Sequence, residues 1–130
     1  MNNSSPNRGV ILFAHGSRDP LWHRPITTLA QRIQQASPHT EVVCAYLELS
    51  APDLPTAAQA LIAKGVPHIR VVPLFLGMGK HAREDLPLLM EALRTQHAGT
   101  EFELSPAVGE HPLLLDALCT IALQNVPSCD

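Results

Sequence analysis

The chain has 130 residues, 9 Lys+Arg against 12 Asp+Glu, 45% apolar residues, 12 prolines, 3 cysteines and a single Trp and Tyr beside 3 Phe. That is the size of one domain with a modest core, and the slight acidity and scarcity of aromatic rings exclude a basic phosphate-binding surface or a base-stacking platform for nucleic acid. Apolar runs are short and broken by Pro, Gly or charge, and the polar stretch from Met1 to Asn7 lacks the apolar centre of a signal peptide, so a soluble cytoplasmic protein without membrane contact is expected.

The first predicted element is a strand over Gly9–Ala14, a continuous apolar run that suits a strand covered on both faces. A helix follows over Thr28–Ala36, where Leu29, Ile33 and Ala36 recur at helical spacing. Glu41–Leu47 reads as the second strand and Ala57–Lys64 as the second helix. His68–Leu76 is the third strand and Leu88–Gln96 the third helix, with Leu88, Leu89, Ala92 and Leu93 marking its apolar stripe. Glu101–Leu104 is a weaker fourth strand, and Leu113–Leu123 a last helix. Pro25, Pro52 or Pro55, Pro87 and Pro112 lie near the expected helix starts, where a missing N–H costs nothing; Asp53 and Asp85 are expected caps, and Gly65 and Gly99 expected terminators.

The order βαβαβαβα predicts an α/β fold, a three-layer α/β/α sandwich on a four-stranded, mostly parallel sheet with right-handed crossovers. One domain spans 1–130, with a core over about 9–123 and frayed ends. If the strands are ordered 2-1-3-4, the chain reverses direction between the first and third strands, and ligands bind beyond the carboxyl ends of the strands at that switch point. Cys44, Cys119 and Cys129 have no CxxC spacing; the first two sit in apolar patterns as small hydrophobes, and Cys129 lies in a polar tail.

His15 follows the first strand in Ala14-His15-Gly16-Ser17-Arg18-Asp19-Pro20, and His81 follows the third in Leu76-Gly77-Met78-Gly79-Lys80-His81. The switch-point argument brings both imidazoles to one crevice. Neutral imidazole binds divalent first-row metals and exchanges protons near neutral pH, and two His with a carboxylate leave coordination positions open. Glu48, just past the second strand, is a candidate for that carboxylate or for a proton acceptor. Gly77 and Gly79 allow close backbone approach to a ligand, or form a plain turn. Arg18, Lys80 and Arg83 can pair either with ligand carboxylates or with Asp19, Glu84 and Asp85. His111 is read chiefly as opening the last helix; His23, His39, His68 and His97 are read as solvated, and Trp22 as packing.

Taken together, Leu12-Phe13-Ala14-His15-Gly16-Ser17-Arg18, Tyr46-Leu47-Glu48, Pro73 through His81 with Asp85-Leu86-Pro87, and Gly109-Glu110-His111-Pro112 resemble the class II tetrapyrrole chelatases, specifically the small CbiX-type sirohydrochlorin cobalto- or ferrochelatases. The resemblance covers residues 9–123. It implies a chelatase-like, flavodoxin-related topology and a lyase that inserts Co2+, Fe2+ or Ni2+ into sirohydrochlorin without ATP, in cobalamin or sirohaem biosynthesis. No tightly bound cofactor is implied, since the divalent metal is a substrate. His15 would be proton acceptor and metal ligand, His81 the second ligand, and Glu48 with Leu76, Gly77, Met78, Gly79, Lys80 and His81 would contact the macrocycle. Larger relatives carry two similar halves, so the resemblance also implies a homodimer. A non-catalytic metal- or tetrapyrrole-binding protein would use the same residues. A phosphoryl-transfer enzyme with His15 as nucleophile is disfavoured by Ala14, which stands where histidine phosphatases carry Arg.

Overall fold

The computed structural model describes residues 6–125. Within them the chain forms β1 (Arg8–Ala14), α1 (Pro20–Ala36), β2 (Thr40–Tyr46), α2 (Leu54–Ala63), β3 (His68–Pro73), α3 (Lys80–Gln96), β4 (Glu101–Leu104), a 3-10 turn (Val108–Glu110) and α4 (Pro112–Leu123). The strands make one parallel sheet, as the sequence pattern predicts, and their order β2-β1-β3-β4 meets the condition on which the switch-point argument rests. Cys129 falls outside the described residues.

Apolar side chains on both faces of β1 explain its central place. Ile11 and Phe13 point into a cluster with Leu54, Ala58 and Leu61 of α2 and Leu86, Met90 and Leu93 of α3. Val10, Leu12 and Ala14 point the other way, against Ile26, Trp22 and Ile33 of α1 and Tyr46. Full burial of each large side chain contributes about 1.5–3 kcal/mol, so β1 is the strand the fold can least do without. Among the described residues no helix is long and apolar enough to cross a membrane.

Two helices start earlier than their periodicity predicts. α1 begins at Pro20, where the Asp19 carboxylate accepts the Leu21 N–H, so Pro25 lies inside the helix and not at its start. α3 begins at Lys80 after a Gly79 cap, which places Asp85 and Pro87 within the helix and removes Asp85 from the capping role. In both, first turns that mix polar and apolar residues hide the apolar stripe, and the interior proline forfeits a hydrogen bond that packing of the following turns offsets. Asp53 caps α2 by accepting the Thr56 N–H, Gly65 follows that helix at a left-handed φ of 82, and Pro112 opens α4, but α3 ends on a His97 cap and not at Gly99. β3 ends at Pro73, short of Leu76, because Pro73 has no N–H to donate; only the Leu74 N–H, bonded to the Phe13 carbonyl at 2.8 Å, continues the pairing.

α4 departs from the other helices. It is strongly apolar, yet none of its residues is buried, and it packs chiefly against the 3-10 turn. Leu113, Ile121 and Leu123 are 76%, 64% and 82% exposed. Cys119 is exposed on the same helix and not sheltered in an apolar contact, whereas Cys44 is half-buried and burial pushes its thiol pKa up.

Candidate active site

The parallel pairing of β1 and β2 continues past both strands and builds the site. The Leu47 N–H donates to the Ala14 carbonyl at 2.9 Å, and the Glu48 N–H to the His15 carbonyl at 3.0 Å. Gly16 adopts φ +108, and a Cβ there would lie 1.7 Å from the Glu48 carbonyl oxygen. Only glycine lets the two loops touch. Leu49 turns the second loop back with a left-handed φ of 67, so that the side chains of both Glu48 and Ser50 reach the first loop.

His15 Nε2 and Glu48 Oε2 are consequently 2.8 Å apart, with both side chains more than half exposed at 56% and 55%. A neutral His15 donates its Nε2–H to the carboxylate and keeps the Nδ1 lone pair, which can accept a proton or bind a metal ion.

His81 lies in the first turn of α3, beyond the carboxyl end of β3, the strand next to β1. It is exposed and makes no hydrogen bond to His15 or Glu48. Among the described residues, no three His, Cys, Asp or Glu side chains gather into a group able to hold a metal ion. The structure therefore joins His15 to Glu48 and leaves His81 at the start of α3, just past the neighbouring loop.

That loop is tied to the one after β4. The Gly109 N–H donates to the Phe75 carbonyl at 3.0 Å. A Cβ on Gly109 would stand 1.8 Å from the Leu76 carbonyl oxygen, so a side chain here would push the loop away. Leu76 and Gly77 face solvent, whereas Met78 turns inward onto the α2–α3 core. Arg83 donates to the Met78 carbonyl at 3.2 Å and pins the loop. Among the described residues, Arg18, Lys80 and Arg83 make no ion pair with Asp19, Glu84 or Asp85, so that alternative is not realised and the ammonium of Lys80 and guanidinium of Arg18 stay exposed. His111 opens α4, its Nδ1 accepting the Leu113 N–H at 3.1 Å. Trp22 packs between His23 and Tyr46, with ring centroids 5.0 and 6.2 Å away.

Two histidines read as solvated are not. His68 meets Glu101 and Glu103, and with Arg70 it holds the Glu103 carboxyl below its usual pKa. His23 is half-buried and bonded to Ser17, Ser50 and Tyr46. The sequence around His23 does not announce Tyr46 and Ser50 as partners, because they arrive from the end of β2 and the loop after it.

An open parallel sheet with an imidazole–carboxylate pair at its switch point defines an α/β protein of the class in which the carboxyl edge is the usual place for a ligand. More particularly, the chain belongs to the CbiX family, whose model matches residues 9–124. It is 36% identical over 89 residues to a sirohydrochlorin cobaltochelatase of Methanothermobacter thermautotrophicus, an alignment covering 68% of this chain and 62% of that one. A CbiX protein of Marinobacter aquaeolei has a solved structure that superposes with a TM-score of 0.74 at 34% identity, over 88% of this chain and 93% of that one. The sirohydrochlorin chelatase SirB of Bacillus subtilis subspecies spizizenii, solved in complex with cobalt, shares the fold at a TM-score of 0.72 and 21% identity, over 87% of this chain but only 48% of its own.

Proposed function

We propose that this protein is a sirohydrochlorin chelatase, which inserts a divalent metal ion into the tetrapyrrole without ATP. The observation that carries the reading is the 2.8 Å contact between His15 and Glu48 at the switch point. Insertion replaces two pyrrolic N–H protons by one divalent cation, so the reaction needs a proton acceptor beside the ring and a ligand that hands over a partly desolvated ion. His15 accepts the two protons one at a time at Nδ1, passing the first to solvent before it takes the second, while Glu48 offsets the imidazolium charge, and His81 at the start of α3 is the second metal ligand. His15 cannot hold metal and proton on one nitrogen together, so its two roles belong to successive steps. Lys80 and the loop from Leu76 to Gly79 meet the macrocycle, and the free Arg18 and Lys80 charges suit its carboxylates. Co2+, Fe2+ and Ni2+ all suit imidazole, and supply selects among them.

The reading includes a homodimer. A plate-like tetrapyrrole needs two walls, and one four-stranded sheet supplies one. Support comes from the bare apolar face of α4, which with Leu29 and Leu74 lines an open groove of about 420 Å3, and from SirB, whose chain is about twice the length matched here. A second copy of this chain is the occupant that both observations fit.

The test is spectrophotometric: purified protein with sirohydrochlorin and Co2+, Fe2+ or Ni2+ should shift the tetrapyrrole absorption faster than buffer, and His15→Ala and His81→Ala should each lose the acceleration. If the wild-type protein binds metal or tetrapyrrole without accelerating insertion, the enzymatic reading fails in favour of a carrier.

A further inference from the structure

The half-buried His23 lies outside the pair assigned above, yet its hydrogen bonds converge on the loop that carries His15. Its Nε2 is 2.8 Å from the Ser17 carbonyl oxygen and 3.3 Å from Ser50 Oγ, and its Nδ1 is 3.3 Å from the Tyr46 hydroxyl. A carbonyl only accepts, so Nε2 must carry the proton, and Nδ1 is then left to accept from Tyr46. Tyr46 can always fill that role, because burial first, and then the neighbouring Cys44, push its pKa up to about 12. Ser50 completes the arrangement: its hydroxyl donates to the Ser17 carbonyl at 2.8 Å and accepts the Ser17 N–H at 3.2 Å. Both polar groups of the Ser17 backbone are thus held by side chains, two residues beyond His15.

We infer that His23 is a positioning residue for His15: locked in its Nε2–H tautomer between Tyr46 and Ser17, it fixes the Gly16–Ser17 turn and so the direction in which the His15 imidazole leaves β1. The reason a clamp is needed is local. Gly16 is packed against the Glu48 carbonyl, but His15 itself is exposed, so the direction of its ring rests on its bond to Glu48, on the backbone bond between the two loops and on the bonds at Ser17. A misplacement of an ångström at a reacting group lowers rates by about a hundredfold. The clamp draws on three elements, since Tyr46 ends β2, Ser50 lies on the loop after it, and His23 projects from the first turn of α1.

The inference rests on the proposed role of His15, and the experiment separates the two. In long-range 1H–15N spectra of the wild-type protein, His23 should show a protonated Nε2 and a bare Nδ1. His23→Phe keeps the ring contacts with Trp22 and Tyr46 but removes both hydrogen bonds; it should move the His15 imidazole and Ser17 amide resonances and lower kcat for insertion about tenfold or more with KM within about twofold. His23→Gln, whose amide can still donate to Ser17, should recover most of the rate. In a His15→Ala background, where no acceleration remains to be read, His23→Phe should still move the Ser17 amide resonance. A protonated Nδ1 on His23, unmoved His15 and Ser17 resonances in His23→Phe, or an unchanged kcat in His23→Phe each overturn the inference. Failure of wild-type insertion with the resonance shifts intact overturns the chelatase reading and leaves the clamp standing.

Discussion

The side chains of His15 and Glu48, 33 positions apart in the chain, meet in a hydrogen bond of 2.8 Å beside the backbone bond from the Glu48 N–H to the His15 carbonyl, at the carboxyl edge of the sheet. Glu48→Gln keeps the shape and a bond to the ring but removes the negative charge that favours proton uptake by His15. The expected outcome is a fall in kcat of about a hundredfold, the usual scale for a lost general acid–base partner, with metal affinity less affected. Steady-state insertion assays beside a Co2+ titration check it. Equal loss of both would make Glu48 a metal ligand and not a proton partner.

Gly16 and Leu49 sit on facing turns and should respond oppositely to substitution. Gly16→Ala drives a methyl group into the Glu48 carbonyl at a φ of +108, and should destabilise the fold by more than about 2 kcal/mol. Leu49→Gly removes a half-exposed side chain and relieves a left-handed backbone at φ 67. The gain offsets the extra entropy of the unfolded chain, so stability should change by less than about 1 kcal/mol. Urea unfolding of both variants measures the contrast.

The apolar surface of α4 gives the oligomer prediction. Wild-type protein should sediment as a dimer of the 14.1 kDa chain. Leu113→Glu with Ile121→Glu, both on the uncovered helix, should sediment as a monomer and lose insertion activity while keeping its far-ultraviolet circular dichroism. A monomeric wild type at tens of micromolar, on the order of the concentrations where weak dimers form, would remove the shared-cleft argument.

Asp53 links the cap of α2 to pH. The Thr56 hydroxyl and then its N–H hold the Asp53 carboxyl below its ordinary pKa. A carboxyl depressed in the folded state adds stability that is complete above the ordinary carboxylate range and is lost as pH falls through the lowered folded value. Asp53→Ala should therefore cost about 1 kcal/mol at neutral pH, typical of a lost cap, and the difference from wild type should shrink in acid. Thermal melts across the acidic range test both the size and the sign.

Much of the fold was legible in the sequence because its signals are local. The apolar run from Val10 to Ala14 marks a strand covered on both faces, Asp53 marks a helix start, and the regular alternation of strands and helices implies parallel pairing. The starts of α1 and α3 were not legible, since Leu21, Trp22 and His23, like His81 through Asp85, mix polar and apolar residues where a stripe would be sought. His15, Glu48 and His81 could be named from their places after strand ends. Their mutual geometry could not be, because it depends on how the loops pair.

The sequence by itself determined the strand order's consequence, a carboxyl edge bearing His15, Glu48 and His81, since hydrophobic periodicity and the handedness of crossovers leave few topologies open. Only the tertiary structure decided that His15 bonds Glu48 and not His81, that His23 is a clamp and not a solvated side chain, and that α4 lies bare. The physical reason is shared. Each of these facts depends on contacts between segments distant in the chain, where a hydrogen bond or a buried face exists only once the sheet has brought its loops together.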